Sequence, residues 1–216
     1  MITLNKQQSG CNRMEIEFWE KTFEDDSTFL FGTAPIKTIT ELEHMFDRQW
    51  NILDVGCGDG KNAIYLAKQG FENIDAFDVS ENAINKISRL CEKHSLNIHT
   101  QNTTVQEFKF DKQYDLMLSF GVFHFVDKCE WKSFIKRAKE HTKRGGIHII
   151  QMFTDEIAPT FDIAPYAIGL AKDEEIKSLY EDWEIMQFMS YTFEEEHENV
   201  PRHKHASNKL VARKIK

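Results

Sequence analysis

Paired cysteines, long apolar runs and surplus positive charge are all missing from this chain. Four cysteines, Cys11, Cys57, Cys91 and Cys129, are scattered through 216 residues with no CxxC pair. That spacing indicates neither a zinc knot nor a disulfide framework, so reduced thiols are expected. No run of apolar residues approaches the ~20 needed to cross a bilayer, and no membrane partner is expected. Four prolines and ten glycines do not suggest a fibrous or disordered chain. The N-terminal MITLNKQQSGCNRM lacks the basic-then-apolar order of a secretion signal, which points to a cytoplasmic protein. Basic residues number 27 against 35 acidic ones, a formal charge of −8. Phosphate backbones are gripped by clustered Lys and Arg, so this balance disfavours nucleic acid as a partner.

What is present is alternation. From Trp50 onward, strand-like apolar runs at 50–55, 73–79, 97–103, 114–120 and 147–153 are separated by helical patterns at 61–69, 81–94 and 128–143. This is the rhythm of an α/β fold with a doubly wound, mostly parallel, Rossmann-like sheet. Within the second helix, Ala83, Ile84, Ile87, Leu90 and Cys91 share a face, which assigns Cys91 to core packing. In the third helix Asp127 is a candidate N-cap with Glu130 three residues on, Trp131, Phe134, Ile135 and Ala138 form the buried stripe, and Lys143-Arg144-Gly145 mark its end. Two amphipathic helices are expected before residue 50, at 14–24 and 36–46. They are joined by the aromatic segment Ser27 to Pro35, either a lid over a pocket or a packed connection. After 153 come an irregular stretch, a helix near 173–181 and two strand-like runs, 183–193 and 203–214, that read as an antiparallel hairpin. The length suits one domain over 1–216. Its parts are an N-terminal helical or lid segment at 1–48, a cofactor-binding core at 49–153 and a C-terminal helix and hairpin at 154–216.

The chemistry concentrates at Ile52-Leu-Asp-Val-Gly-Cys-Gly-Asp-Gly60. A strand that ends in alternate glycines and opens a helix lets backbone approach a ligand closely, and the N–H groups of the helix start favour an anion. Glycines alone are weak evidence, because tight turns explain many such triplets. Asp78 strengthens them. It ends the next strand, 18 residues past Gly60, where a carboxylate commonly grips both hydroxyls of a ribose. Asp54, inside the first strand, would be costly beside a dinucleotide's pyrophosphate but useful beside a cationic ligand. NAD brings two phosphates, whereas S-adenosylmethionine brings a sulfonium, an ammonium and one carboxylate. An NAD-dependent oxidoreductase and a non-catalytic cofactor-binding protein remain the alternatives.

Asp54 to Gly60 followed by Asp78 resembles motif I and the second-strand acid of class I S-adenosylmethionine-dependent methyltransferases. Four further stretches are similar to the tellurite-resistance methyltransferase branch: Gly58-Asp-Gly-Lys-Asn-Ala-Ile-Tyr-Leu-Ala67, Lys112-Gln-Tyr-Asp-Leu-Met-Leu-Ser119, Leu179-Tyr-Glu-Asp-Trp-Glu184 and Leu210-Val-Ala-Arg-Lys214. The resemblance implies that Gly56, Gly58 and Gly60 line the methionine part of the cofactor, with Cys57 and Asn62 in the same loop. It implies that Asp78 takes the ribose beside Val79, and that Ser119 and Phe120 end the fourth strand beneath the cofactor. An acidic residue often bonds the adenine after the third strand in that family. Here the chain reads Asn102-Thr-Thr-Val-Gln106, leaving Thr104, Val105 or backbone atoms for the task.

Methyl transfer from a sulfonium is an in-line displacement, served by positioning and water exclusion; a base is needed only if the acceptor must lose a proton. Ser119-Phe-Gly-Val-Phe-His-Phe125 follows the fourth strand and is not the Asn/Asp-Pro-Pro-Tyr/Phe pattern of enzymes acting on base amino groups. His124 is the nearest titratable candidate, as base, orienting donor or merely a packed ring. Glu194 to His205 packs three histidines and an arginine into nine residues. Arg202 with His197 and His203 is the expected binder of a small oxyanion or carboxylate. A metal held by the histidines and Glu196, or a solvated hairpin, competes with it, and no metal is assigned. In an extended segment His203 and His205 face the same side. The expected partner is a small-molecule acceptor such as a chalcogen oxyanion or a thiol; oligomeric state is left open.

Overall fold

The computed structural model describes residues 13–25, 27–197 and 200–216, so Cys11 lies outside the described residues. Seven strands form one sheet: β1 (Asn51–Val55), β2 (Asn73–Asp78), β3 (His99–Asn102), β4 (Tyr114–Phe120), β5 (Thr142–Phe153), β6 (Glu184–His197) and β7 (Val200–Arg213). Their order is β3-β2-β1-β4-β5-β7-β6. The first five run parallel, while β7 is inserted antiparallel between β5 and β6. This is the expected doubly wound sheet with its C-terminal hairpin.

The period of two along each strand sorts side chains onto two cores. Leu53, Val55 and Met117 face the side covered by α5 (Lys128–Glu140) and α6 (Glu175–Ser178). Ile52, Leu116 and Leu118 face the side covered by α2 (Lys37–Leu42), α3 (Lys61–Lys68) and α4 (Glu81–His94). Cys91 is buried in this second core, as its helical face requires. The strand order reverses between β1 and β4, and ligands of open α/β sheets lie at the carboxyl ends of strands at such a point.

Three local expectations need correction. Asp127 caps α5 by accepting from Cys129 N at 2.8 Å, but Glu130 does not complete a capping box; its carboxylate pairs with Gln106. The helix also ends at Glu140 rather than at 143–145. Tyr114 N already pairs with His141 O at 2.8 Å, and the buried Thr142 hydroxyl closes onto Ala138 O, so the chain passes directly into β5. Gly145, at φ +83°, forms an irregularity inside that strand. The hairpin is longer than its composition suggested. β5 stops at Phe153, opposite Ser207, whereas β6 and β7 continue pairing to His197 and Val200. Beyond the sheet they form a two-stranded ribbon, where Pro201 costs no ladder bond to a third strand.

The first helix, α1 (Arg13–Thr22), is held by a contact that composition did not signal. Glu20 accepts from Glu81 N at 2.7 Å, Asn82 N at 3.1 Å and Ser80 Oγ at 3.0 Å, so its carboxylate sits on the N-terminus of α4. Ser80 itself caps Ala83 N at 3.2 Å. A carboxylate is favoured there by the unpaired N–H groups and the helix dipole. Replacing Glu20 by Ala is expected to lower unfolding stability by about 1–2 kcal/mol, read as a shifted urea midpoint; an unchanged midpoint would show that α1 is not anchored this way.

Candidate functional site

At the switch point, the ends of β1, β2 and β4 open into a cavity of about 660 Å3, within the ~300–1,000 Å3 usual for small-molecule sites. The glycine loop forms its floor. Gly56, Gly58 and Gly60 all have positive φ. A Cβ on Gly56 would lie 2.4 Å from Val122 Cγ2, and one on Gly60 would lie 2.7 Å from Ile87 Cγ1. Both positions therefore need glycine for conformation and for space. Gly56, Cys57 and Gly58 reach the cavity wall; Gly60 acts beneath it, packing the loop onto α4.

The loop's donors are largely spent. Cys57 N bonds to Phe77 O at 3.0 Å, Gly58 N to Asp78 Oδ2 at 2.8 Å and Gly60 N to Cys57 O at 3.0 Å. Asp54 ends β1 below the first turn of α3, where the Ala63 N–H lies close enough to favour its charged form. Asp54 Oδ2 is buried with no hydrogen-bond partner among the described residues. Burial raises its pKa to about 7, with Asp78 adding repulsion and the nearby Ala63 N–H and Lys61 ammonium opposing the rise. Asp78 is raised to about 6, again chiefly by burial, opposed by backbone donors from Ser80, Gly58 and Val79. Two buried, electron-rich carboxylates facing one cavity suit a ligand with positive charge and hydroxyl donors. They do not suit a pyrophosphate.

The remaining cofactor candidates fall unevenly. Asn62, Val79, Thr104, Val105 and Phe120 line the cavity with Asp54 and Asp78. Asn62 Oδ1 accepts from Ile36 N at 3.1 Å, tying the aromatic segment down. Thr104 Oγ1 accepts from Glu107 N at 3.1 Å, which commits its hydroxyl to the turn after β3. Ser119 is fully buried below the wall, its hydroxyl without a partner among the described residues. The segment between α1 and α2 is part of the site and not a remote connection, since Leu30, Phe31 and Ile36 face the cavity. Asp59 helps hold it by accepting from Leu30 N at 3.2 Å, and the Lys86 ammonium lies 3.8 Å from the same Asp59 oxygen.

Past the end of β4, His124 lines the cavity and is buried. Its Nδ1 accepts from Phe153 N at 3.3 Å and its ring lies 4.1 Å from the Phe153 ring. Burial, then the neighbouring His205, lowers its pKa to about 3. The ring is therefore neutral and carries its proton on Nε2, a donor and not a base. The ribbon also reaches the cavity, through Glu195, Glu196 and His205. Arg202 does not join them. Its guanidinium pairs with Glu194 on the opposite face of the ribbon, where Lys204 also lies 3.5 Å from Glu194. His203 sits behind His205, with their Nε2 atoms 2.9 Å apart. The side chain of His197 lies outside the described residues.

Sequence reasoning missed Phe18 and Trp19 of α1, whose rings complete the wall with Phe125. Trp19 meets Phe125 edge-on at 5.0 Å, and Phe18 stacks on Tyr166 at 4.2 Å. An aromatic pair on an amphipathic helix reads simply as core.

Known proteins agree with this architecture. A solved crystal structure of TehB from Haemophilus influenzae superposes with a TM-score of 0.74 at 29% identity, covering 93% of this chain and 67% of that one. The curated "Probable S-adenosyl-L-methionine-dependent methyltransferase TehB" of the same species is 34% identical over 139 residues, 63% of this chain and 47% of the relative. A "Ubiquinone biosynthesis O-methyltransferase" of Rickettsia typhi is 38% identical over 154 residues, 69% of this chain and 61% of the relative. The chain thus spans about half the length of the TehB relative it matches. The family model described as "Tellurite resistance protein TehB" matches residues 40–211, and the chain belongs to that family.

Proposed function

We propose that this protein transfers a methyl group from S-adenosylmethionine to a small-molecule acceptor, a chalcogen oxyanion or a thiol. The observation that carries the reading is Asp54. Its carboxylate lines the cavity where a dinucleotide phosphate would come close, and its Oδ2 is buried without a partner among the described residues. A positively charged methionine moiety is the complementary guest, and the name of the TehB relative points to the same cofactor.

In this reading Asp54, Gly56, Cys57 and Gly58 hold the methionine part. Asp78, fixed by Gly58 N and by Ser80 N at 2.9 Å, keeps lone pairs for the ribose hydroxyls. With Thr104 committed to its own turn, backbone near Val79 and Val105 is left to recognise the adenine. The bound cofactor supplies an activated methyl on sulfur; the protein supplies alignment and dryness. Phe18, Trp19 and Phe125 exclude water, while the Nε2–H of His124 orients the acceptor. A base is unnecessary for an acceptor that arrives as an anion.

The direct functional test is release of S-adenosylhomocysteine over a panel of selenite, tellurite, thiols and small amines. Turnover with an oxyanion or thiol is expected, and tight cofactor binding with no turnover across the panel would favour a binding protein. Arg202→Ala sharpens the assignment of the acceptor end. With its guanidinium on the Glu194 face, acceptor KM is expected to change by less than about twofold; a large rise would bring Arg202 back into the site.

The carboxylates also give a pH dependence with a definite sign. A cationic ligand beside Asp54 lowers its pKa from about 7, so binding releases a proton where the free protein still holds one. Affinity for S-adenosylmethionine should rise on the order of tenfold between pH 6 and 8 and then level off. Calorimetry in buffers of different ionisation enthalpy reads the released proton directly. Without ligand the linkage runs the other way. Folded pKa values of about 7 and 6 stand above the ordinary 3.8, so this stabilising contribution is complete below pH 4 and is lost as pH rises through 6 to 7. An affinity flat across that range would contradict a cation next to Asp54.

A further inference from the structure

Glu195, His203 and His205 converge on one point at the rim of the cavity, and we propose that they bind a divalent transition-metal cation of the zinc class. The register of the ribbon brings them together. Glu195 pairs with His203 and Phe193 with His205, so all three ligating side chains share one face. Arg202, Lys204 and Glu194 occupy the other.

The three candidate ligand atoms form a compact triangle. His205 Nε2 lies 2.8 Å from Glu195 Oε1 and 2.9 Å from His203 Nε2, and the His203 nitrogen lies 3.5 Å from that same oxygen. Bonds of about 2.05 Å to one cation place neighbouring ligand atoms ~2.9 Å apart in an octahedron and ~3.3 Å apart in a tetrahedron. The observed edges span those values.

Protonation favours the same assignment. His203 Nδ1 is 2.8 Å from Pro201 O and donates its proton there, which leaves the Nε2 lone pair facing the cluster. Glu195 contributes only acceptors, so among these three side chains in their neutral tautomers it is His205 Nε2 that can place a proton inside the triangle. A cation satisfies all three lone pairs together. The rings are also pre-set: His205 lies 4.4 Å from the Phe153 ring at an interplanar angle of 10°, and the two imidazole side chains are 4% and 11% exposed. Imidazole nitrogen with a single carboxylate suits zinc-class ions better than magnesium or calcium. The structure thus puts Glu195 in the place of the expected Glu196 and keeps His203 and His205, while the side chain of His197 lies outside the described residues.

Because Glu195 and His205 line the cavity, a cation held by them would sit at its wall. An anionic oxygen or thiolate sulfur bound there would be oriented without any proton transfer, which the neutral His124 could not accept. This role rests on the methyltransferase reading; cation binding itself does not.

The test is titration of the chelator-treated full chain with Co2+, followed by its ligand-field absorption, and with Zn2+ by competition. One equivalent is expected to bind, with affinity about tenfold or more weaker in both His203→Ala and Glu195→Gln. Titration of His203→Ala with S-adenosylmethionine is run in parallel. Retained cofactor affinity shows that the variant is folded and separates failure of the metal site from failure of the cofactor reading. No Co2+ binding, or binding unchanged in both variants, would overturn the proposal. So would a raised acceptor KM in His203→Ala when the wild-type chain binds no metal, because the pair would then act as a proton-bearing anion site.

Discussion

Everything at this site depends on where one carboxylate sits. Asp54 belongs to a central strand, so the sheet fixes its position, buried at the cavity wall below the first turn of α3. The same helix terminus in a dinucleotide site stays available for phosphate. Placing a buried carboxylate beside it turns an anion-binding loop into one that seeks positive charge. Desolvation is the dominant cost, as the rise of the Asp54 pKa to about 7 shows, and a cationic guest offsets it.

The other devices brace this arrangement. Asp78 reaches back to Gly58 N and links the second strand to the glycine loop. Glu20 fixes α1 on α4, which brings Phe18 and Trp19 over the cavity. Asp59 and Asn62, apparently loop polars, instead tether the aromatic segment through Leu30 N and Ile36 N. At the far end, stopping β5 at Phe153 releases β6 and β7 as a ribbon whose histidine face turns inward. Fold and site are thus joined by strand register and by a few carboxylate-to-backbone bonds.

Much of this was legible in the chain. Strand and helix periods located β4 and α4 to the residue, because alternation and a 3.6-residue stripe follow directly from burial. Asp54 and Asp78 were legible because strand ends fix their side chains in space. The hairpin was harder. Its charge cluster was visible, yet only the register shows that Arg202 and His203 face opposite ways, so the expected oxyanion trio does not assemble around Arg202. Thr104 looked like a ligand hydroxyl until Glu107 N claimed it, a local bond that competes wherever a short polar side chain starts a turn. Glu20 gave no signal at all. Its three partners lie about 60 residues away, and no local pattern encodes such a contact.

One titration bears most directly on the role of the carboxylates: calorimetry of the full chain with S-adenosylmethionine, S-adenosylhomocysteine and NAD at pH 8, repeated with Asp78→Ala. The charge arrangement predicts binding of both sulfur nucleosides and not of NAD, with affinity weakened by roughly 1–3 kcal/mol when the Asp78 carboxylate is removed. Binding of NAD alone, or an Asp78→Ala protein with unaltered affinity, would contradict it.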